Sequence, residues 1–284
     1  MTTTTPTSSA GPDLAAVKAR QQATWSNGDY SVIAGRIVLQ SELLAEAADL
    51  RPGWRVLDVA CGSGNAAIAA ARSDTLVTGI DYVPELLDRG RARAAAEGLA
   101  VDFQLGDAEN LPFDDASFDA VLSVFGSMFA PDHRRTADEM TRVARPGGVL
   151  GIVAWTPGGF IGEMFRTITR HVPAPAGLAS PLLWGTEDHL AALFGAAAAE
   201  IRTVERTCVF RFASAEAFTE MFRRWYGPTY TAFAALDDTG RAALAADLTD
   251  LARRWNRASS GRDRTVALPS TYLETVITLR GAGG

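Results

Sequence analysis

At 284 residues, 47% of them apolar, the chain is long enough to bury a sizeable core, and one α/β domain with additions is the expected plan. A formal net charge of -6, with no run of Lys or Arg longer than a pair such as Arg134 and Arg135, argues against a surface that tracks phosphates, so nucleic acid is not an expected partner. Two cysteines, Cys61 and Cys208, lack the spacing of a zinc site or a disulfide framework, and no stretch approaches the ~20 apolar residues of a membrane span, which points to a cytoplasmic protein.

Residues 1–12 form a Thr/Ser/Pro tract with neither a basic start nor an apolar stretch, and read as a disordered tail rather than a signal peptide. Residues 13–50 read as helices broken near Asn27 and Gly28, with Ile37, Leu39, Leu43 and Leu44 supplying an apolar face. Lys18 is the only lysine; the Arg and Ala bias fits a GC-rich bacterial genome. An alternation then sets the class: strands over Arg55–Val59, 76–80, Val101–Leu105, 120–124 and 148–154, with helices over 66–71, 84–97 and 134–144. Strands alternating with helices over short loops predict a parallel, doubly wound sheet. Past Trp155 the pattern loosens around Gly and Pro at 157–159, 173, 175, 177 and 181. A helix over Glu187–Phe194, a strand over 201–211, a helical stretch over 215–257 and a last strand over 272–279 follow. The expected division is a lid at 13–50, a core at 51–214 and 259–284, and a helical cap at 215–258 inserted before the last strand. Its aromatics Phe218, Phe222, Trp225, Tyr226 and Phe233 are expected in the core.

The segment Val56-Leu-Asp-Val-Ala-Cys-Gly-Ser-Gly-Asn-Ala-Ala67 is a strand, a G-x-G-x-x-A turn and a helix start, a pattern that suits dinucleotides and S-adenosylmethionine alike. Asp58 separates them. A pyrophosphate on the following helix N-terminus would be repelled by a neighbouring carboxylate, whereas S-adenosylmethionine brings an ammonium and a sulfonium that an acid favours. Gly62 and Gly64 are expected to let the backbone approach the ligand. Asp81, ending the second strand, is placed to accept ribose hydroxyls, and Asp107, after the third, to accept from the adenine amino group. Each aspartate alone reads as a turn or cap residue; three at successive strand ends form a constellation.

These motifs, with Gly79-Ile-Asp81, Gly106-Asp-Ala-Glu-Asn-Leu-Pro112, Phe118-Asp-Ala-Val121 and Arg145-Pro-Gly-Gly148, resemble the class I S-adenosylmethionine-dependent methyltransferases, especially their small-molecule and quinone-type branch. The resemblance spans about residues 55–155. It implies a Rossmann-like, seven-stranded sheet whose last strand runs antiparallel. It also implies Asp58, Ala60, Gly62, Ser63 and Gly64 around the methionine part of the cofactor. Asp81 and Tyr82 fall at the ribose and adenine, Asp107 and Ala108 at the adenine edge, and Ser123 and Phe125 beside the methyl group.

Methyl transfer is an in-line displacement in which positioning of the acceptor carries much of the catalysis. His133, on the loop leaving the fourth strand, is the candidate general base, against the plainer reading of a surface residue in a helix's first turn. His171 and His189 are lesser candidates. Trp25 and Tyr30 on the lid, Met128, Phe129, Trp155, Phe160 and Trp184 are candidate acceptor walls. Ser123-Val-Phe-Gly126 is not the Asn/Asp-Pro-Pro-aromatic box of nucleobase amino methyltransferases, the paired glutamates of arginine methyltransferases are missing, and Asp119 begins its strand, so no metal is expected. A small organic acceptor methylated on O, N or C remains; monomer and homodimer fit equally. The rival readings are an NAD(P)-dependent oxidoreductase, favoured by the glycine turn and Asp81 but opposed by Asp58, and a non-catalytic methyltransferase-like binding protein.

Overall fold

The computed structural model describes residues 13–175, 177–258 and 264–283; the tail expected at 1–12 lies outside them. Three helices come first, α1 (Leu14–Ser26), α2 (Tyr30–Ala34) and α3 (Val38–Ala47). Aspartates cap two of them: Asp13 accepts from the Ala16 amide and Asp29 from the Ser31 amide. The alternating part is β1 (Arg55–Val59), α4 (Asn65–Ala71), β2 (Leu76–Asp81), α5 (Pro84–Ala96), β3 (Val101–Leu105), β4 (Phe118–Val124), α6 (His133–Val143) and β5 (Ala144–Trp155). Then come α7 (Phe160–His171), α8 (Glu187–Phe194), β6 (Ala198–Phe212), α9 (Ala215–Trp225), α10 (Gly227–Ala234), α11 (Asp238–Trp255) and β7 (Val266–Leu279).

The seven strands lie in the order β3-β2-β1-β4-β5-β7-β6. The first five are mutually parallel, and β7 runs antiparallel between β5 and β6. Val56, Leu57, Val121 and Leu122 are fully buried, as strands covered on both faces must be, which is why they read as unbroken apolar runs. Chain order reverses between β1 and β4, and the crevice beyond the carboxyl ends of such strands is where ligands bind in open α/β sheets.

Two elements depart from the sequence reading. A helix, α7, stands between the Gly/Pro clusters at 157–159 and 173–177; those residues mark its two ends rather than a loose segment. The stretch at 215–257 is three helices, broken at Tyr226 and around Asp237, where Pro228 at the start of α10 and the Asp237 cap of α11 restart the chain. These helices pack on β6, β7 and α7, and α10 also packs on α1, so lid and insertion meet. Among the described residues no helix is long and apolar enough to cross a membrane.

Candidate functional site

A cleft of about 640 Å³ opens beyond the carboxyl ends of β1 to β4. Its floor is Ala60, Gly62, Ile80, Asp81, Tyr82, Asp107, Ala108 and Phe125–Ser127; its roof is Lys18, Trp25 and Tyr30. Of the residues expected to hold the cofactor, Ala60, Gly62, Asp81, Tyr82, Asp107, Ala108 and Phe125 line it. Ala60 and Phe125 both carry φ of +53°, a left-handed conformation unusual for a residue with a Cβ, and such strain concentrates at ligand sites. The strands are pinched there: a Cβ on Gly126 would lie 2.4 Å from the Ala60 carbonyl.

Four expected contacts sit behind the wall instead. Asp58 is 1% exposed, accepts from the Ala67 amide of α4 at 2.8 Å and does not line the cleft, so it anchors the helix N-terminus from beneath. Burial pushes its carboxyl up to about 8, despite the Ala67 bond and with help from Asp81. Ser63 accepts from Arg93, and Gly64, at φ +81°, makes room for the Phe103 ring, which a Cβ would meet at 2.7 Å. The need for glycine at 64 is therefore internal packing. Ser123 is wholly buried; its hydroxyl donates to the Val59 carbonyl and accepts from the Ser127 amide, clasping β1 to the turn that carries Phe125 and Gly126.

Asp81 does face the cleft. One oxygen accepts from the Gly62 amide at 2.8 Å and the other from Val83 at 2.9 Å, and the carboxylate lines the cleft, where it can accept a hydroxyl donor as well. Burial raises its carboxyl to about 6, with backbone amides of Val83, Gly62 and Tyr82 acting against that rise. Asp107 accepts from the Glu109 amide and, at 2.5 Å, from the Lys18 ammonium, which also reaches Glu109 at 2.6 Å. Lys18, Glu109 and Leu86 escaped the sequence reading. A lone lysine was the available signal for the first, and Glu109 stood within the Gly106 to Pro112 motif.

The roof is aromatic. Trp25 stands edge-on to Tyr30, Phe129 and Tyr226, with centroids 5.4, 4.9 and 5.6 Å away, and Phe125 stacks on Trp155 at 3.9 Å. Tyr226 comes from the insertion, where a core role was expected; it is buried, yet its ring and those of Tyr30 and Phe129 wall a small apolar cavity beside Phe125 and Trp155. Lid and insertion lock at two close approaches: a Cβ on Gly28 would meet the Trp225 carbonyl at 2.9 Å, and one on Gly227 the Thr24 carbonyl at 2.3 Å.

A more open and mostly apolar groove shares Trp25, Phe129, Ala130 and Pro131 with the cleft and runs past Met128, His133 and Phe165. His133 therefore lies on the groove and not on the cleft. Its Nδ1 is 3.0 Å from Nε2 of His189, and burial together with His189 lowers its pKa to about 4, so it is a neutral, weakly basic imidazole near pH 7. His171 pairs with Asp247 at 2.7 Å, away from both cavities. Two expected acceptor walls are core instead. Phe160 packs on Phe218 and Trp255, and Trp184 on Phe194 and His133, and both are 0% exposed, because α7 and the turn before α8 fold inward against neighbouring helices.

With the geometry in place, comparison with known proteins identifies the family. Residues 56–148 match the model of a methyltransferase domain. An uncharacterized protein of Mycobacterium tuberculosis is 43% identical over 81% of this chain and 84% of its own length. The demethylmenaquinone methyltransferase of Thermus thermophilus is 35% identical over 53% of this chain and 76% of its own. A solved structure of a putative methyltransferase from Bacillus halodurans superposes with a TM-score of 0.58 at 19% identity, covering 84% of this chain and 98% of that one, which shows a shared fold. The chain belongs to the class I S-adenosylmethionine-dependent methyltransferases, in their small-molecule and quinone-type branch.

Proposed function

We propose that this enzyme holds S-adenosylmethionine in the cleft at the ends of β1 to β4 and methylates a small organic acceptor that enters along the apolar groove. The observation that carries this reading is the cleft's chemistry: the Asp81 carboxylate on its wall, Asp107 and Glu109 beside it, and a floor of Gly62, Ala60 and Phe125 under aromatic rings. That combination fits a cationic sulfur compound with an attached nucleoside. When bound, the cofactor supplies an activated methyl group on a positively charged sulfur.

The chain's own residues do the rest. The Ala60 to Gly62 turn takes the amino-acid head, the Asp81 carboxylate accepts the ribose hydroxyls, and Leu86, Asp107 and Ala108 take the base. Phe125 and Gly126 hold the transfer point against Tyr30, Phe129 and Tyr226, whose rings exclude water and orient a flat or apolar acceptor. His133, neutral and on the groove wall, serves as a hydrogen-bonding partner for the acceptor rather than a strong base. Residues 13–50 form the lid, 215–258 the cap, and 51–214 with 259–284 the core. The two buried, unpaired cysteines support a reducing, cytoplasmic setting.

Calorimetric titration with S-adenosylhomocysteine tests the cofactor assignment: binding is expected for the wild type and strong loss for Asp81→Ala. Wild-type binding that survives Asp81→Ala unchanged refutes the ribose assignment. Turnover with a panel of small acceptors, read as methyl incorporation by mass spectrometry, tests the acceptor class; methylation of a protein or nucleic acid instead refutes it.

A further inference from the structure

We propose that Lys18 is the latch of the cofactor site: a positioning residue whose ammonium, bridging Asp107 and Glu109, holds the first turns of helix α1 over the nucleoside end, so that cofactor exchange requires this bridge to open. The inference rests on the cofactor reading above and assigns a residue and a step to it.

The geometry is specific. Lys18 lines the same cleft as Asp81 and Asp107, and its Nζ lies 2.5 Å from Asp107 and 2.6 Å from Glu109. The groups are sheltered, with 27% of the lysine side chain, 33% of Asp107 and 8% of Glu109 exposed, so the pair is less screened than a surface ion pair. The acids are held in turn by the backbone: Asp107 accepts from the Glu109 amide and Glu109 from the Asp132 amide. A second tie on the next turn of α1 runs from the Gln22 amide to the Tyr82 carbonyl at 2.7 Å. Seven residues after Lys18, Trp25 closes the roof beside Tyr30. Freeing the ammonium leaves the end of α1 that spans the acidic edge held by the Gln22 tie alone, while the Trp25 end stays locked to the insertion through Gly28 and Gly227. Lys18 also puts one positive charge into a pocket that takes a cation. For binding strength alone that charge is unfavourable, which marks its role as closure.

Lys18→Met keeps the aliphatic stem and removes the charge; Lys18→Arg keeps the charge. Stopped-flow dissociation of S-adenosylhomocysteine is expected to quicken on the order of tenfold in K18M, with partial recovery in K18R. Added salt should accelerate release from the wild type and leave K18M unaffected. Hydrogen exchange should show residues 14–21 protected by the ligand in the wild type and less protected in K18M, with residues 24–26 and the β1 and β4 amides alike in both, which separates a latch from a folding defect. Because the chain has one lysine, acylation of Lys18 followed by mass spectrometry should be slowed by the ligand. Equal release rates in wild type and K18M, or tighter S-adenosylmethionine binding by K18M with unchanged release, overturn the latch while leaving the cofactor reading intact. A wild type that binds no S-adenosylhomocysteine overturns both.

Discussion

Asp81 makes cofactor affinity a titration. Its carboxyl, raised by burial to about 6, is roughly one-tenth ionised near pH 5 and roughly nine-tenths ionised near pH 7. The ribose hydroxyls are donors, so the carboxylate is the form that binds them, and no group of S-adenosylhomocysteine titrates in that interval. Affinity is therefore expected to rise about tenfold, ~1.4 kcal/mol, between about pH 5 and pH 7. Asp81→Asn keeps the acceptor for one backbone amide and removes the titration. It should bind about 2 kcal/mol more weakly near pH 7, with a flat profile. Calorimetry across the interval, in two buffers of different ionisation enthalpy, also counts the proton released on binding. A flat wild-type profile, or an Asn variant that retains the slope, refutes the assignment.

The same groups govern the unliganded protein. Asp58 and Asp81 have folded pKa values above their unfolded ones, so the stability they contribute is fully present below the ordinary carboxylate range and is lost as pH rises through about 6 and about 8. Asp58→Asn, which still accepts from Ala67, should flatten the alkaline part of that decline in thermal melts; a decline unchanged from wild type contradicts the buried anchor role. Gly126→Ala drives a Cβ into the Ala60 carbonyl and should lower the melting temperature and abolish S-adenosylhomocysteine binding, whereas normal binding would mean the pinch relaxes freely. Phe160→Ala should cost about 3–5 kcal/mol in denaturant unfolding while cofactor affinity under native conditions stays put, since the ring faces α9 and α11; a selective loss of acceptor turnover would restore it to the acceptor wall.

The parallel sheet was legible because buried strands read as apolar runs and the glycine turn punctuates β1, and that carried the placement of Ala60, Gly62, Asp81 and Asp107 at strand ends. What the sequence could not separate was two sides of one wall. Asp58 and Asp81 both lie on their strands near the turn, but the Ala67 amide captures the first and the cleft takes the second. Phe160, Trp184 and Tyr226 are all buried aromatics, and only the packing of distant helices decides that the third borders a cavity while the others do not. Lys18 had no periodic partner, since its acids lie 89 and 91 residues away.

The close approaches at Gly28 and Gly227 bring main chain about two hundred residues apart together with no room for a side chain at either glycine. Divergence toward a new acceptor is thereby constrained. Insertions or exchanges within 215–258 can reshape the ceiling through residues such as Tyr226, but only if the joint with the first helices survives. Variation in this lineage should therefore accumulate between the joints, and the two glycines should be inherited as a matched set.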